Sequence, residues 1–187
     1  DYDLTNLDDL KEMAERGMLT ETEKIDYIKN HRKQILRARQ NTIAVYSPKG
    51  GVGTTFLASN ITMGIASKTD ELRVILVDLD FGYSNIDSML AIAGHTNIMD
   101  LYNNYDKKNK KFPLDILNEV VIHHPSGLDI LLGPPRLEQG DLFRDFHIKS
   151  LIEALKEANY DIIIFDTTTE LRETTLTLLD NVKNILL

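Results

Sequence analysis

Tyr46-Ser-Pro-Lys49-Gly50-Gly51-Val52-Gly53-Thr54-Thr55-Phe56-Leu57 joins a β-rich run at residues 42–46 to a stretch with the helical spacing of Phe56, Leu57, Ile61 and Ile65. Strand, glycine loop, helix is the context of the phosphate-cradling pattern G-x-x-x-x-G-K-[ST]. There, backbone N–H groups and the helix N-terminus surround an anion, a lysine reaches the outer phosphates and a hydroxyl meets Mg²⁺. Gly53 fills the second glycine position and Thr55 the hydroxyl position. Pro48 replaces the first glycine, and Thr54 stands where the lysine belongs. A different lysine, Lys49, sits earlier in the loop. A turn selected for geometry alone needs neither that lysine nor the paired threonines.

Two further segments end in carboxylates. Residues 73–80, Arg-Val-Ile-Leu-Val-Asp78-Leu-Asp80, and residues 160–166, Tyr-Asp-Ile-Ile-Ile-Phe-Asp166, are apolar runs of buried-strand type. Each acid either caps the next element or faces the phosphate loop from a strand end. Around them the pattern alternates. A turn and short helix are expected over 82–90, a helix over 97–105 and a charged loop over 106–111. Strand-like runs at 119–123 and 128–132 flank the turn signal Pro125-Ser-Gly127. Gly133-Pro134-Pro135 breaks the chain. Helices follow at 147–158 and 173–179, and a strand begins at 184. Strands alternating with helices predict an α/β, doubly wound, mostly parallel sheet with flanking helices.

The chain of 187 residues can bury one α/β core, with 42% hydrophobic and 27% charged residues. It contains no cysteine, so disulfides and thiolate metal sites are excluded. No apolar run is long enough to cross a bilayer, and a cytoplasmic address is expected. The net charge of −8 disfavours a general nucleic-acid coat. Two local basic patches stand out, Lys29 to Arg39 and Lys107, Lys108, Lys110 and Lys111. Residues 1–40 read as a helical linker or regulatory arm before a domain at 41–187. Thr5 with Asp8 and Thr20 with Glu23 have capping-box spacing, and Gly17 suits a helix end. The start at Asp1 and the stop within Ile185-Leu-Leu187 suggest an excerpt of a longer protein, cut toward its C-terminal side. His123 and His124 occupy adjacent strand positions and make a poor metal pair.

Lys49-Gly-Gly-Val-Gly-Thr-Thr55 resembles the deviant P-loop, KGGxGKT, of the ParA/MinD ATPases. The segments ending at Asp80 and Asp166 resemble that family's Walker A′ and Walker B strands. The resemblance implies ATP and Mg²⁺ as cofactors, with Lys49, Gly50, Gly51, Val52, Gly53, Thr54, Thr55 and Phe56 around the nucleotide. Lys49 would touch the nucleotide of a second subunit, and Asp80 would orient the attacking water. Thr55, Asp166 and Asp78 would serve the metal, Asp78 either there or as support for the loop. Loss of the loop lysine to Thr54 resembles the CpaE/TadZ pilus-assembly branch. It implies an ATP-bridged homodimer that works with Flp/Tad pilus or secretion machinery at the cell pole or inner membrane face. Slow or absent hydrolysis is expected, because a charged hydrogen bond to phosphate is worth about 1.5–3 kcal/mol and a neutral one less. A DNA-partitioning ATPase, a MinD-like septum regulator and a metabolic enzyme of the wider family are the alternatives. The first is disfavoured by net charge, and the last by the missing loop lysine and cysteines. The Thr167-Thr-Thr169 run after Asp166 departs from the small or proline residues usual there, so the phosphate-sensing residue stays unassigned.

Overall fold

The structure, a computed structural model, describes residues 41–81, 85–92 and 96–187, and residues 12, 13, 16–18, 20, 22, 23 and 25 of the arm. Contacts divide the chain into two units, Asp1–Arg39 and Gln40–Leu187. In the first, the Thr20–Glu23 capping box forms: the Thr20 N–H donates to Glu23 Oε2 at 2.8 Å, and the Glu23 N–H to Thr20 Oγ1 at 3.3 Å. Gly17 is left-handed at φ +67°, and the Met18 N–H returns to the Met13 carbonyl at 2.9 Å, ending a helical turn. The Thr5–Asp8 spacing and the basic patch at 29–39 lie outside the described residues.

The second unit runs β1 (Asn41–Val45), α1 (Thr54–Ala66), β2 (Val74–Leu79), α2 (Ile86–Met89), α3 (Ile98–Asn103), α4 (Leu114–Val120), β3 (Ile122–His123), β4 (Leu128–Leu131), α5 (Leu137–Gly140), α6 (Asp145–Glu157), β5 (Ile162–Thr167), α7 (Glu173–Asn181) and β6 (Asn184–Leu186). The sheet order is β3-β4-β2-β5-β1-β6. All pairings are parallel except β3 with β4. The α/β doubly wound expectation therefore holds.

Period-two alternation sorts each strand between two helical layers. Leu76, Ile130 and Ile164 face one core with Ala58 of α1 and Ile86 of α2. Ile75, Val77, Ile163 and Phe165 face the other with Leu117 of α4, Leu151 and Leu155 of α6 and Leu178 of α7. Burying a side chain such as Phe165, fully enclosed here, contributes about 1.5–3 kcal/mol.

The strand expected at 119–123 is corrected. Residues 114–120 form α4, and only Ile122–His123 pair with β4. The β-branched run Val120-Val121-Ile122 gives the strand signal. Leu117 and Val120, three apart and buried, belong to a helix capped by Pro113. The two adjacent histidines take different partners: His123 Nδ1 meets Asp129 Oδ1, and His124 Nδ1 meets Ser126 Oγ at 2.8 Å.

Candidate functional site

β1, β2 and β5 are neighbours in the sheet, and their C-terminal ends open on one crevice, where open α/β sheets take ligands. The loop after β1 is tied down at its root. The Thr167 hydroxyl donates to the Val45 carbonyl at 2.8 Å, and the Tyr46 N–H to the Leu186 carbonyl at 2.9 Å. Gly51 and Gly53 then take left-handed φ values of +73° and +94°, which side chains with a Cβ adopt only under strain. Gly53 precedes α1 with no side-chain cap, and α1 has no acidic residue in its first turn. The first amides of α1 are thus left for an anion rather than a carboxylate of the chain itself.

A cleft of about 450 Å³ lies over this loop, within the range of small-ligand sites. Gly50, Gly51, Gly53, Thr54, Thr55 and Phe56 line it, as do Asp80 beyond β2 and Thr167 to Thr169 beyond β5. Lys49 and Val52 are exposed and are not among the lining residues. Lys49 donates its backbone N–H to Ser47 Oγ at 3.2 Å.

The three aspartates separate into different environments. Asp78 and Asp166 are register partners on β2 and β5. Asp78 is buried, its Oδ1 accepting the Asp80 N–H and its Oδ2 the Gly133 N–H, each at 3.1 Å. A Cβ on Gly133 would come within 2.9 Å of Asp78 Oδ2, so glycine there permits the close approach. Asp78 thereby braces the end of β2 against the chain leaving β4. Asp80 reaches the cleft itself.

Asp166 is wholly buried, and neither carboxylate oxygen completes a hydrogen bond. Burial pushes its pKa up to about 7. The nearby Thr55 hydroxyl draws it down, Asp80's charge raises it and the Thr167 amide lowers it. An unsatisfied buried carboxylate is costly. Its placement beside Thr55, at the foot of the glycine loop, suits a hard cation with oxygen ligands such as Mg²⁺. No cluster of three or more His, Asp or Glu suited to a metal occurs among the described residues. An ion held by Thr55 and Asp166 would therefore complete its shell with water and phosphate oxygens.

Residues that sequence reasoning passed over also line the cleft. Arg172 is the one cation among its described lining residues. It is bound by Glu170 Oε2 at 2.6 Å and Asp141 Oδ1 at 2.9 Å. Its position six residues past Asp166 was the available signal. Asn85, Met89 and Leu137 enter from α2 and α5, whose short lengths left only weak periodicity.

Strand order, glycine loop and buried aspartate define a P-loop nucleotide-binding α/β protein. Residues 40–187 match the AAA domain family. The putative septum site-determining protein MinD of Emiliania huxleyi is 33% identical over 127 residues, 67% of this chain and 43% of its own length. The chromosome-partitioning ATPase Soj of Thermus thermophilus is 30% identical over 142 residues, 76% of this chain and 51% of its own. The septum site-determining protein MinD of Pyrococcus horikoshii OT3, solved with Mg-ADP, shares the fold with a TM-score of 0.62 at 19% identity, over 78% of this chain and 56% of that one. The chain belongs to this AAA domain family, and these curated relatives place it with proteins of the ParA/MinD type. It spans about half the length of these curated relatives.

Proposed function

We propose that this chain is a nucleotide-switched positioning protein in which ATP joins two copies face to face. The observation that carries the reading is Asp166, buried and unsatisfied beside Thr55 under the glycine loop. The loop amides and the first turn of α1 bind the phosphates. A bound magnesium ion supplies positive charge to the phosphates, with Thr55 and Asp166 as its protein ligands and Asp78 bracing the strand end behind them. Asp80 aligns the attacking water from the edge of the cleft. Thr54 offers one neutral hydrogen bond in place of a lysine, so developing charge is less well stabilised and turnover is slow.

Lys49, exposed and outside its own cleft, is free to reach the nucleotide of a second copy. Val52, Phe56 and Leu57, at 54%, 62% and 41% exposure, give that face an apolar rim. The Thr54 departure favours partnership with a Flp/Tad-type pilus or secretion assembly. DNA partitioning of the Soj kind is the second reading; the net charge of −8 weighs against it. No helix among the described residues is long and apolar enough to cross a membrane.

Light scattering with ATP, with ADP and without nucleotide tests the proposal. A dimer is expected with ATP alone and is expected to disappear in Lys49→Ala. A mass indifferent to nucleotide and to that substitution overturns it.

A further inference from the structure

A second cleft, built from entirely different chemistry, lies between the segment after α3 and the first turn of α6. Its volume is about 530 Å³. Tyr102, Tyr105, Phe146 and His147 line it, with Lys107, Lys110 and Arg144 and no carboxylate. A neighbouring hollow of about 310 Å³ shares Tyr105, Lys110 and Phe146 with it. Together they make a groove along α6 rather than a closed pocket.

The aromatic floor is constructed around one imidazole. His147 lies 4.1 Å from Phe146, 4.7 Å from Tyr105 and 5.1 Å from Tyr102, centroid to centroid. Burial lowers its pKa, as does the Arg144 charge, against the opposing pull of Asp145. Its Nδ1 accepts the Arg144 N–H at 3.1 Å. The neutral ring then carries its proton on Nε2. Leu142 and Phe146 remain 45% exposed.

The cationic rim is equally built. Asp106 and Lys111 form an isolated antiparallel bridge that closes a tight loop. Asp106 accepts the N–H groups of Lys108 at 2.9 Å and Asn109 at 3.0 Å, and the Asn109 side-chain amide at 2.7 Å. That carboxylate is consumed by the loop's own amides, and Lys110 is held at φ +54°. The acids of the neighbouring hollow are already engaged: Glu157 with Lys111 at 3.2 Å and Glu153 with Lys156 at 3.1 Å. Lys107 and Lys110 form no ion pair among the described residues.

We infer that this groove docks an acidic segment of a partner protein that inserts one aromatic or large aliphatic side chain. Charge complementarity selects the acidic flanks, and the exposed ring of Phe146 over the His147 cluster selects the anchor. A nucleic acid strand fits less well. The cationic zone is short: Lys107, Lys110 and Arg144 are its lining cations, too few to track a phosphate backbone. The rings also meet one another edge-on or tilted, so their faces form no open stacking platform of the kind single strands use.

The test is an array of short Asp/Glu-rich peptides with one variable central residue, probed with the whole chain. Fluorescence anisotropy of the Phe-centred peptide and an oligothymidylate competitor accompany it. Binding is expected for central Phe, Tyr, Trp, Leu or Met, with a loss of about tenfold or more in Lys107→Glu/Lys110→Glu and in Phe146→Ala. Leu142→Ala is the second anchor variant, should Phe146→Ala melt early. Three results overturn the inference: no peptide binding above the Gly-centred control, binding that follows charge but ignores the central residue and both anchor variants, or tighter binding of the oligonucleotide than of any peptide. The outcome is independent of whether ATP drives dimerisation.

Discussion

The two clefts solve recognition in opposite ways. The nucleotide cleft is centred on backbone amides, those of a glycine loop and a helix end, joined by threonine hydroxyls, with carboxylates beside them and one cation, Arg172, tied to two acids. The groove at α6 is made of side chains, aromatic rings together with two lysines and an arginine. Backbone donors suit a ligand with fixed geometry, such as a phosphate chain, because they are rigid before it arrives. Flexible lysines around aromatic rings suit a partner whose sequence varies, because charge and one anchor suffice. Rigidity at one site and tolerance at the other are therefore built from the same fold.

Substitutions can break that contrast, and the largest effect belongs to the glycine loop. Gly53→Val places a β-branched residue at φ +94°. Nucleotide affinity by calorimetry is expected to fall by roughly a hundredfold or more, while acidic-peptide binding at the α6 groove stays intact. Parallel losses at both sites would mean that the clefts are not separate.

Asp166→Asn comes next. The wild-type pKa is raised from 3.8 to about 7. The protonated form is thus the one the folded, unliganded protein favours. That stability is fully present below about pH 4 and is lost as pH rises through about 7. At pH 8 the Asn variant without nucleotide is expected to be more stable by on the order of a few kcal/mol, and to have lost Mg²⁺-dependent nucleotide binding. Urea melts at pH 5 and pH 8 check this; a gap between variant and wild type that does not grow with pH refutes it.

Gly133→Ala forces a Cβ toward Asp78 and should cost about 1–3 kcal/mol in chemical denaturation. Thr54→Lys replaces a neutral hydrogen bond with a charged one. The expected gain is about 1 kcal/mol, or roughly fivefold in ATP affinity, and a raised hydrolysis rate. The smallest change is Phe146→Ala, whose ring is half exposed: stability within about 0.5 kcal/mol of wild type, although peptide binding falls.

The same contrast explains what could be read from the sequence. The glycine loop, Asp80 and Asp166 were legible because strand–loop–helix chemistry is contiguous along the chain. The continuous apolar runs Val74 to Val77 and Ile162 to Phe165, spaced by helical segments, gave the parallel sheet for a similar reason. The groove was not legible. Tyr102, Lys107 and His147 come from three segments that only the fold brings together, and the lysine run alone reads as a solvated loop. Arg172 escaped notice because its role depends on Asp141, thirty-one residues away. The end of the α4 helix was hidden by Val120-Val121-Ile122, a β-branched run in which Val120 is helical and buried in the same core as Leu117, while Ile122 does enter β3.

Gly140, like Gly133, has no room for a side chain: a Cβ there would collide with Phe81 Cβ. The stretch from 133 to 140 is therefore keyed at two points onto the end of β2, like a latch plate held by two pins. A plate so fastened has one seating. It carries Leu137 into the nucleotide cleft and, two residues past its second pin, Leu142 to the edge of the α6 groove. Both clefts thus take their alignment from a single strand end, and an overpacking change at either glycine would misalign them together.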